Sequence, residues 1–260
     1  MSYGHGTDST ELRPNHGHID FAGLPNTRDL GGLETADGRH VRSGRLLRSG
    51  TLFFARDGDL KRLRKEYHLH AVVDLRGDDE LAEKPDPMRR LPLVRYVHAD
   101  VMRGGIEGIS QDEASKARLL ELERASTDDP PAFMEAVYPD LLLSDPGIKA
   151  YRKFLKTVLD TTRGSVLWHC HVGRDRCGMA SMLVEYILGV PMSVIEDDYL
   201  ATNIYTDEPS SERTDANIRF IRAAVGAVDR EYGSIAGYIK GALGFKDSDL
   251  NELRERYLEA

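Results

Sequence analysis

Cysteine is scarce in this sequence, with 2 among 260 residues. A disulfide framework is therefore excluded, and the chain reads as intracellular, or at least as independent of oxidative folding. Long apolar runs are missing too. None approaches the roughly 20 residues that a bilayer-spanning helix needs, so an integral helical membrane protein is excluded. The stretch Met1 to His18 lacks the charged opening and apolar centre of a secretory signal; it is polar, with Gly, His, Ser and Pro, and reads as a flexible leader before a single domain over 19–260. Positive charge is in the minority, with 35 Lys and Arg against 43 Asp and Glu for a net charge of -8. That balance argues against a nucleic-acid or anionic-membrane partner, although a local basic site can still attract phosphate.

What remains is a chain with 40% hydrophobic and 30% charged residues, enough to bury one substantial core. Its elements alternate. Arg45 to Arg48, Ala71 to Leu75, Val94 to His98 and Gly164 to Trp168 have strand character, and Leu60, Leu63 and Tyr67 place one apolar face on a helix over Asp57 to Tyr67. The expected fold class is α/β, a mostly parallel central sheet flanked by helices. From Asp145 onward nearly everything has helical spacing: Ile148, Tyr151, Leu155, Val158 and Leu159, then Ile218, Ile221, Val225, Val228 and Tyr232, then Leu250, Leu253 and Tyr257. The segment of about 104–145 differs, being charged and helical over Asp112 to Ala125 and then punctuated by Pro130, Pro131 and Pro139.

The densest information lies in His169-Cys-His-Val-Gly-Arg-Asp-Arg-Cys-Gly178, between an expected strand and a helix marked by Met179, Met182, Leu183, Tyr186 and Ile187. A loop that ends at a helix N-terminus presents unpaired N–H groups and the positive end of the macrodipole, both favourable to an anion. Phosphoryl transfer asks a protein mainly for positioning and charge stabilisation. Cys170 is therefore the candidate nucleophile, and Arg176 the fork for two equatorial phosphate oxygens. His171, Val172, Gly173, Arg174, Asp175 and Arg176 are the candidate phosphate-binding residues, with Gly173 letting the backbone curl closely around the anion. Two small buried cysteines in an ordinary strand-to-helix turn would not require Arg174, Asp175 and Arg176 in the same loop.

With this loop the chain resembles the bacterial atypical, triple-specificity protein-tyrosine phosphatases. Leu24-Pro-Asn-Thr-Arg-Asp-Leu-Gly-Gly32, Gly44-Arg-Leu-Leu-Arg-Ser49, Val72-Val-Asp-Leu-Arg76 with Glu80, Tyr199-Leu-Ala-Thr-Asn203 and Tyr232-Gly-Ser-Ile235 fit the same pattern. The resemblance implies a cysteinyl-phosphate intermediate without a cofactor, and a helical lid over about 104–145. It further implies a phosphotyrosine protein as substrate, with phosphoserine, phosphothreonine and phosphoinositides as further substrates. Some members of the family are exported, so a cytoplasmic location and export without a signal peptide both stay open. The family loop reads HCxxGKDRTG, and this chain departs from it at Arg174 and Cys177. A hydroxyl at position 177 would donate to the thiolate across the loop; a thiol is a weaker donor, and two neighbouring thiols invite a reversible disulfide.

The proton donor is the open question. Asp175 is the first candidate, against a plain role in ordering the loop, and Asp74 the second, against an ion pair with Arg76. Arg28 and Arg48 are supporting candidates, as are His169 and Cys177. A metal held by His169, His171 and the cysteines is disfavoured because the ligand spacing is wrong. Two other functions stay open: a phosphatase for phosphoinositides or soluble inositol phosphates, and a phosphate-binding pseudophosphatase.

Overall fold

The computed structural model describes residues 13–103, 129, 131–211 and 215–260. Its central sheet runs, edge to edge, Arg28–Asp29 (β1), Leu46–Ser49 (β3), Ser165–His169 (β6), Leu69–Asp74 (β4) and Arg95–His98 (β5). Only β1 is antiparallel to its neighbour. A separate small ribbon pairs His40–Val41 (β2) with Leu258–Glu259 (β7). The expected mostly parallel sheet is thus present, with boundaries moved by a residue or so.

Alternation along the strands builds two cores. Leu46, Ala71, Val73, Val166 and Trp168 face the larger one, and Leu47, Val72 and Leu167 the smaller. Asp57–Lys65 (α1) covers the smaller with Leu60 and Leu63. The larger is filled by Ala132–Leu143 (α3), Asp145–Asp160 (α4), Asp175–Leu188 (α5), Ile218–Tyr232 (α8), Ile235–Gly241 (α9) and Asp247–Tyr257 (α10). Three shorter helices, Asp78–Glu83 (α2), Met192–Leu200 (α6) and Thr202–Tyr205 (α7), border the site. The helix after the loop is buried almost all round, and it stops where Gly189, at φ 90°, takes a left-handed cap that other residues adopt only with strain.

The expected lid is only partly within view. Residues 104–128 and 130, including the expected helix over 112–125, lie outside the described residues. In the remainder, α3 buries Met134, Tyr138, Leu141 and Leu142 in the larger core, with Pro139 inside the helix. Of the expected leader, residues 1–12 also lie outside the described set. Its last residues are anchored, because Arg13 donates to the Asp29 carbonyl at 2.9 Å and to Asp198 at 3.0 Å.

Register decides where chemistry can occur. Ser49 and Asp74 both stand opposite His169, and Asp74 also stands opposite His98, so four strands end at one level. The chain leaves β6 at that carboxyl edge, where open α/β sheets bind their ligands. No helix among the described residues is long and apolar enough to cross a membrane.

Candidate active site

Cys170 follows the central strand, is 1% exposed, and begins a loop that closes into the N-terminus of α5 at Asp175. The loop carbonyls are tied down from outside. The His171 carbonyl accepts from the Thr51 N–H at 2.8 Å, and the Val172 and Gly173 carbonyls each accept from Asn26 Nδ2 at 3.1 Å. Arg48 adds a bond at 2.8 Å to the Gly173 carbonyl. Trans peptides point their C=O and N–H in opposite directions, so each outward carbonyl turns the next N–H, on Val172, Gly173 and Arg174, toward the inside of the loop. Gly173 sits at φ 79°, and a Cβ there would stand 2.6 Å from the Ser49 carbonyl oxygen. The turn therefore requires glycine twice over, for its dihedral and for its space.

Arg48 reaches the loop because a buried carboxylate holds it. Asp198 receives Arg48 at 2.6 Å, Arg28 at 3.1 Å and Arg13 at 3.0 Å. Burial opposes its charge, but the Arg28, Arg13 and Arg48 guanidinium groups outweigh burial and hold Asp198 well below the usual carboxylate range. Arg28 and Arg48 are in this way supports of the loop.

Arg176 is 1% exposed. Its Nη1 and Nη2 donate to the two oxygens of Glu80, at 2.5 and 3.0 Å, a bidentate pair that fixes the plane of the guanidinium. Burial weighs against the Arg176 charge, and Glu80, followed by the Cys170 sulfur, outweighs it and raises its pKa. Burial pushes the Glu80 carboxyl up while Arg176 and the Gly77 N–H pull it down further, to about 2.

The two candidate proton donors are placed differently. Asp74 binds Arg76 bidentately, at 2.9 Å to Nε and 2.7 Å to Nη2, and accepts from the Tyr96 hydroxyl at 2.8 Å. Burial is overcome by His169 and Arg76, which keep Asp74 ionised far below its ordinary range. It is the ion-pair partner of Arg76, the alternative role weighed for it in the sequence. Asp175 opens α5; its Oδ1 accepts from the Tyr138 hydroxyl and, at 2.9 Å, from Arg174 Nε. Arg174 is thereby turned onto its neighbour.

His169 lies behind the loop. Its Nε2 meets Asp86 at 2.8 Å and its Nδ1 the Cys170 carbonyl at 3.1 Å; burial lowers its pKa, but Asp86 and Asp74 outweigh burial and raise it. Asp74, Asp86 and His169 bring potential ligand atoms within 4.8 Å of one another. The cation among them is the Arg76 guanidinium, 2.9 Å from Asp86 and 2.7 Å from Asp74. Cys177 also differs from expectation. Its thiol donates to the Trp168 carbonyl at 3.6 Å and the Ser49 carbonyl at 3.8 Å, and not to Cys170; burial pushes its pKa up to about 12.

Sequence reasoning missed several participants. Asn26 and Glu80 lie in stretches that matched the family pattern, yet without coordinates nothing says that one holds the loop and the other Arg176. Tyr138 comes from the segment expected to be a lid. Asp100, half-buried just beyond β5, carries a carboxyl that burial raises above its ordinary pKa. Its Oδ1 and Glu80 Oε2 both lie within 4 Å of where a Cβ on Gly77 would stand, so it borders the Arg176 pair.

Residues 19–259 match the model of a family described as the tyrosine phosphatase family. The chain belongs to that family. A putative tyrosine-protein phosphatase of Cupriavidus necator is 30% identical over 259 residues, covering 92% of this chain and 88% of that protein. The triple specificity protein phosphatase PtpB of Mycobacterium tuberculosis is 26% identical over 277 residues, covering 90% of this chain and 97% of its own. Among solved structures, P. aeruginosa TpbA in complex with pTyr is 15% identical and covers 84% of this chain and 88% of its own, with a TM-score of 0.32. The phosphatase is thus an enzyme of the tyrosine phosphatase class with a mostly parallel α/β fold.

The Glu80–Arg176 pair makes the phosphatase sensitive to acid in a defined window. Because the folded-state pKa of Glu80, about 2, lies below the ordinary 4.5, its contribution is fully present above pH 4.5 and is lost as pH falls toward 2. The buried pair contributes up to about 3 kcal/mol to that pH dependence. Urea unfolding between about pH 7 and pH 3 is expected to show a shallower decline for Glu80→Gln than for the wild type. Parallel declines would remove Glu80 from the linkage.

Proposed function

We propose that the protein hydrolyses phosphotyrosine in proteins through a cysteinyl-phosphate intermediate formed on Cys170, by a route that uses no metal or organic cofactor. The carrying observation is the loop itself: a buried Cys170 at the end of the central strand, inward-turned N–H groups beyond it, and Arg176 held by Glu80 at the first turn of α5. The thiolate attacks phosphorus as the bond to the tyrosyl oxygen breaks. Water then attacks the phosphorus of the phospho-cysteine, releasing inorganic phosphate and the thiolate. Arg176 has five N–H donors, of which Glu80 takes two; the guanidinium so oriented stabilises charge on the equatorial oxygens.

The proton for the leaving tyrosyl oxygen comes, in this reading, from Asp175, whose Oδ1 is fixed by Tyr138 and Arg174 and whose Oδ2 would carry the proton. Asp100, whose carboxyl borders the Glu80–Arg176 pair and is raised above its ordinary pKa by burial, is a second candidate donor. The relative from M. tuberculosis is named a triple specificity phosphatase, so phosphoserine, phosphothreonine and phosphoinositide substrates belong in the same test.

Cys170→Ser and Arg176→Ala are each expected to abolish turnover of p-nitrophenyl phosphate and a phosphotyrosine peptide, the arginine change costing about 3 kcal/mol or more. Wild-type turnover by Cys170→Ser would overturn the covalent route, and an inactive wild type that still binds phosphate would make the protein a pseudophosphatase. The donor is found by comparing leaving groups. Asp175→Asn is expected to slow an alkyl or phenyl phosphate at least ~10-fold more than p-nitrophenyl phosphate, whose leaving group hardly needs a proton. An equal loss for both substrates would assign Asp175 to loop architecture, and the same unequal loss in Asp100→Asn instead would move the role there.

Reversible oxidation is proposed as a control of the same site. Peroxide would convert Cys170 to a sulfenic acid, and the Cys177 thiol would displace water from it to give a disulfide. Both thiols are free and buried seven positions apart, but the high pKa of Cys177 and its two carbonyl contacts slow that step. Intact mass after peroxide is expected to fall by two hydrogens, reversed by dithiothreitol; a gain of two or three oxygens on Cys170 would overturn the proposal.

A further inference from the structure

A groove of about 840 Å³ opens beside the phosphate loop and is continuous with it, since His171 and Val172 line its inner end. Its floor is stiff. The Asn26 N–H donates to the Tyr205 carbonyl at 2.9 Å, the Gly50 N–H to the Pro25 carbonyl at 3.0 Å, and the Thr51 N–H to the His171 carbonyl at 2.8 Å. Two large apolar side chains on its rim stay exposed, Phe54 at 54% and Ile204 at 64%. Its charged lining consists of Asp20, Asp207 and Glu208 against Arg56. His18, stacked on Tyr205 with ring centroids 4.3 Å apart, adds no charge at neutral pH because burial lowers its pKa.

Those features separate the substrate classes. A phosphoinositide or inositol phosphate bears several negative groups, and a wall of three carboxylates beside the loop repels every one not seated in it. A polypeptide presents the opposite chemistry, with apolar side chains for Phe54 and Ile204 and lysine or arginine for the carboxylates. Asn26 ties the groove to the loop, since it lines the groove while its Nδ2 donates to the Val172 and Gly173 carbonyls, each at 3.1 Å.

We infer that this groove receives the polypeptide flanking the phosphotyrosine and selects segments with an apolar residue beside it and lysine or arginine beyond. The inference rests on the phosphotyrosine reading above. Asp207 and Glu208 set the charge preference, Phe54 and Ile204 the apolar one.

The experiment measures kcat/KM for phosphotyrosine peptides that differ only in flanking residues: apolar then basic, apolar then acidic, or all alanine. A phosphatidylcholine vesicle carrying a phosphoinositide is run beside them. Each value is divided by the same protein's kcat/KM for p-nitrophenyl phosphate, so that overall activity cancels. Basic flanks are expected to be preferred over acidic ones by about five- to ten-fold, the scale of two exposed ion pairs. The preference should shrink on raising salt to about 0.5 M and fall below about two-fold in an Asp207→Asn, Glu208→Gln double variant. Ile204→Ala should lower the value for apolar flanks and leave the alanine peptide alone. Equal values for basic and acidic flanks, with p-nitrophenyl phosphate still turned over by Cys170, would overturn the groove assignment and spare the phosphatase reading. Loss of dependence on Cys170 would overturn that reading itself. A basic preference that survives the double variant, or a vesicle turned over faster than every peptide, would also overturn the inference.

Discussion

Everything at this site depends on holding the phosphate loop's carbonyl oxygens away from its centre. A peptide group can offer only one of its two ends to an anion, so N–H groups converge on phosphate only where something else accepts the burden of the carbonyls. Here Thr51, Asn26 and Arg48 do so, from two segments outside the loop. Arg48 is in turn fixed by Asp198, which also binds Arg28 and Arg13. A buried carboxylate with three arginines is costly to desolvate, and such a cluster is weak evidence for stability. Its sense is positional: it connects β1, β3 and α6 and fixes one of the three donors that hold the loop carbonyls.

A second cluster works from the other side. Asp74, Arg76, Asp86 and His169 interlock beneath the loop, and His169 carries their constraint to the Cys170 carbonyl. Glu80 then sets the plane of Arg176. Cys170 and Arg176 are thus positioned by residues whose own geometry is fixed by further charge pairs. Arrangements of this kind shift pKa values for structural reasons as well as catalytic ones, and the downward shifts of Asp74 and Asp198 follow, against burial, from His169 and Arg76 in the one case and from Arg28, Arg13 and Arg48 in the other.

This division explains what the sequence could and could not tell. Leu46–Ser49 and Ser165–His169 were legible from short apolar runs, Leu46-Leu47 and Val166-Leu167-Trp168, in strands buried on both faces, and Asp175–Leu188 because its apolar residues and Gly189 stop have helical spacing. The two-residue strands β1, β2 and β7 offer no period to read. The residues proposed to bind phosphate were readable as a group because they lie together in one turn. Partners such as Asn26, Glu80 and Tyr138 come from distant segments, where nothing in a lone Asn, Glu or Tyr distinguishes a support from a surface residue. Tyr138 lies in the stretch expected as a helical lid, and its neighbours Met134, Leu141 and Leu142 recur with it at helical spacing and face the larger core.

Cys177 shows how a local chemical expectation yields to packing. A small side chain at the third position of α5 must share the space beneath the loop with the ends of β3 and β6, whose Ser49 and Trp168 carbonyls lie at 3.8 and 3.6 Å. A serine or threonine hydroxyl has two lone pairs and one proton, so it can bond a carbonyl and still accept from elsewhere, or turn its proton to the thiolate. A thiol makes only weak bonds of either kind, and Arg48 nearby does not offset the cost of burying its anion. Burial therefore keeps Cys177 protonated, whereas the proposed route needs Cys170 ionised. The two cysteines thus differ in setting: Cys170 directly follows the central strand at the start of the loop, whereas Cys177 lies in the first turn of α5 with its sulfur on two strand-end carbonyls, and under the proposed route only Cys170 attacks the phosphoryl group.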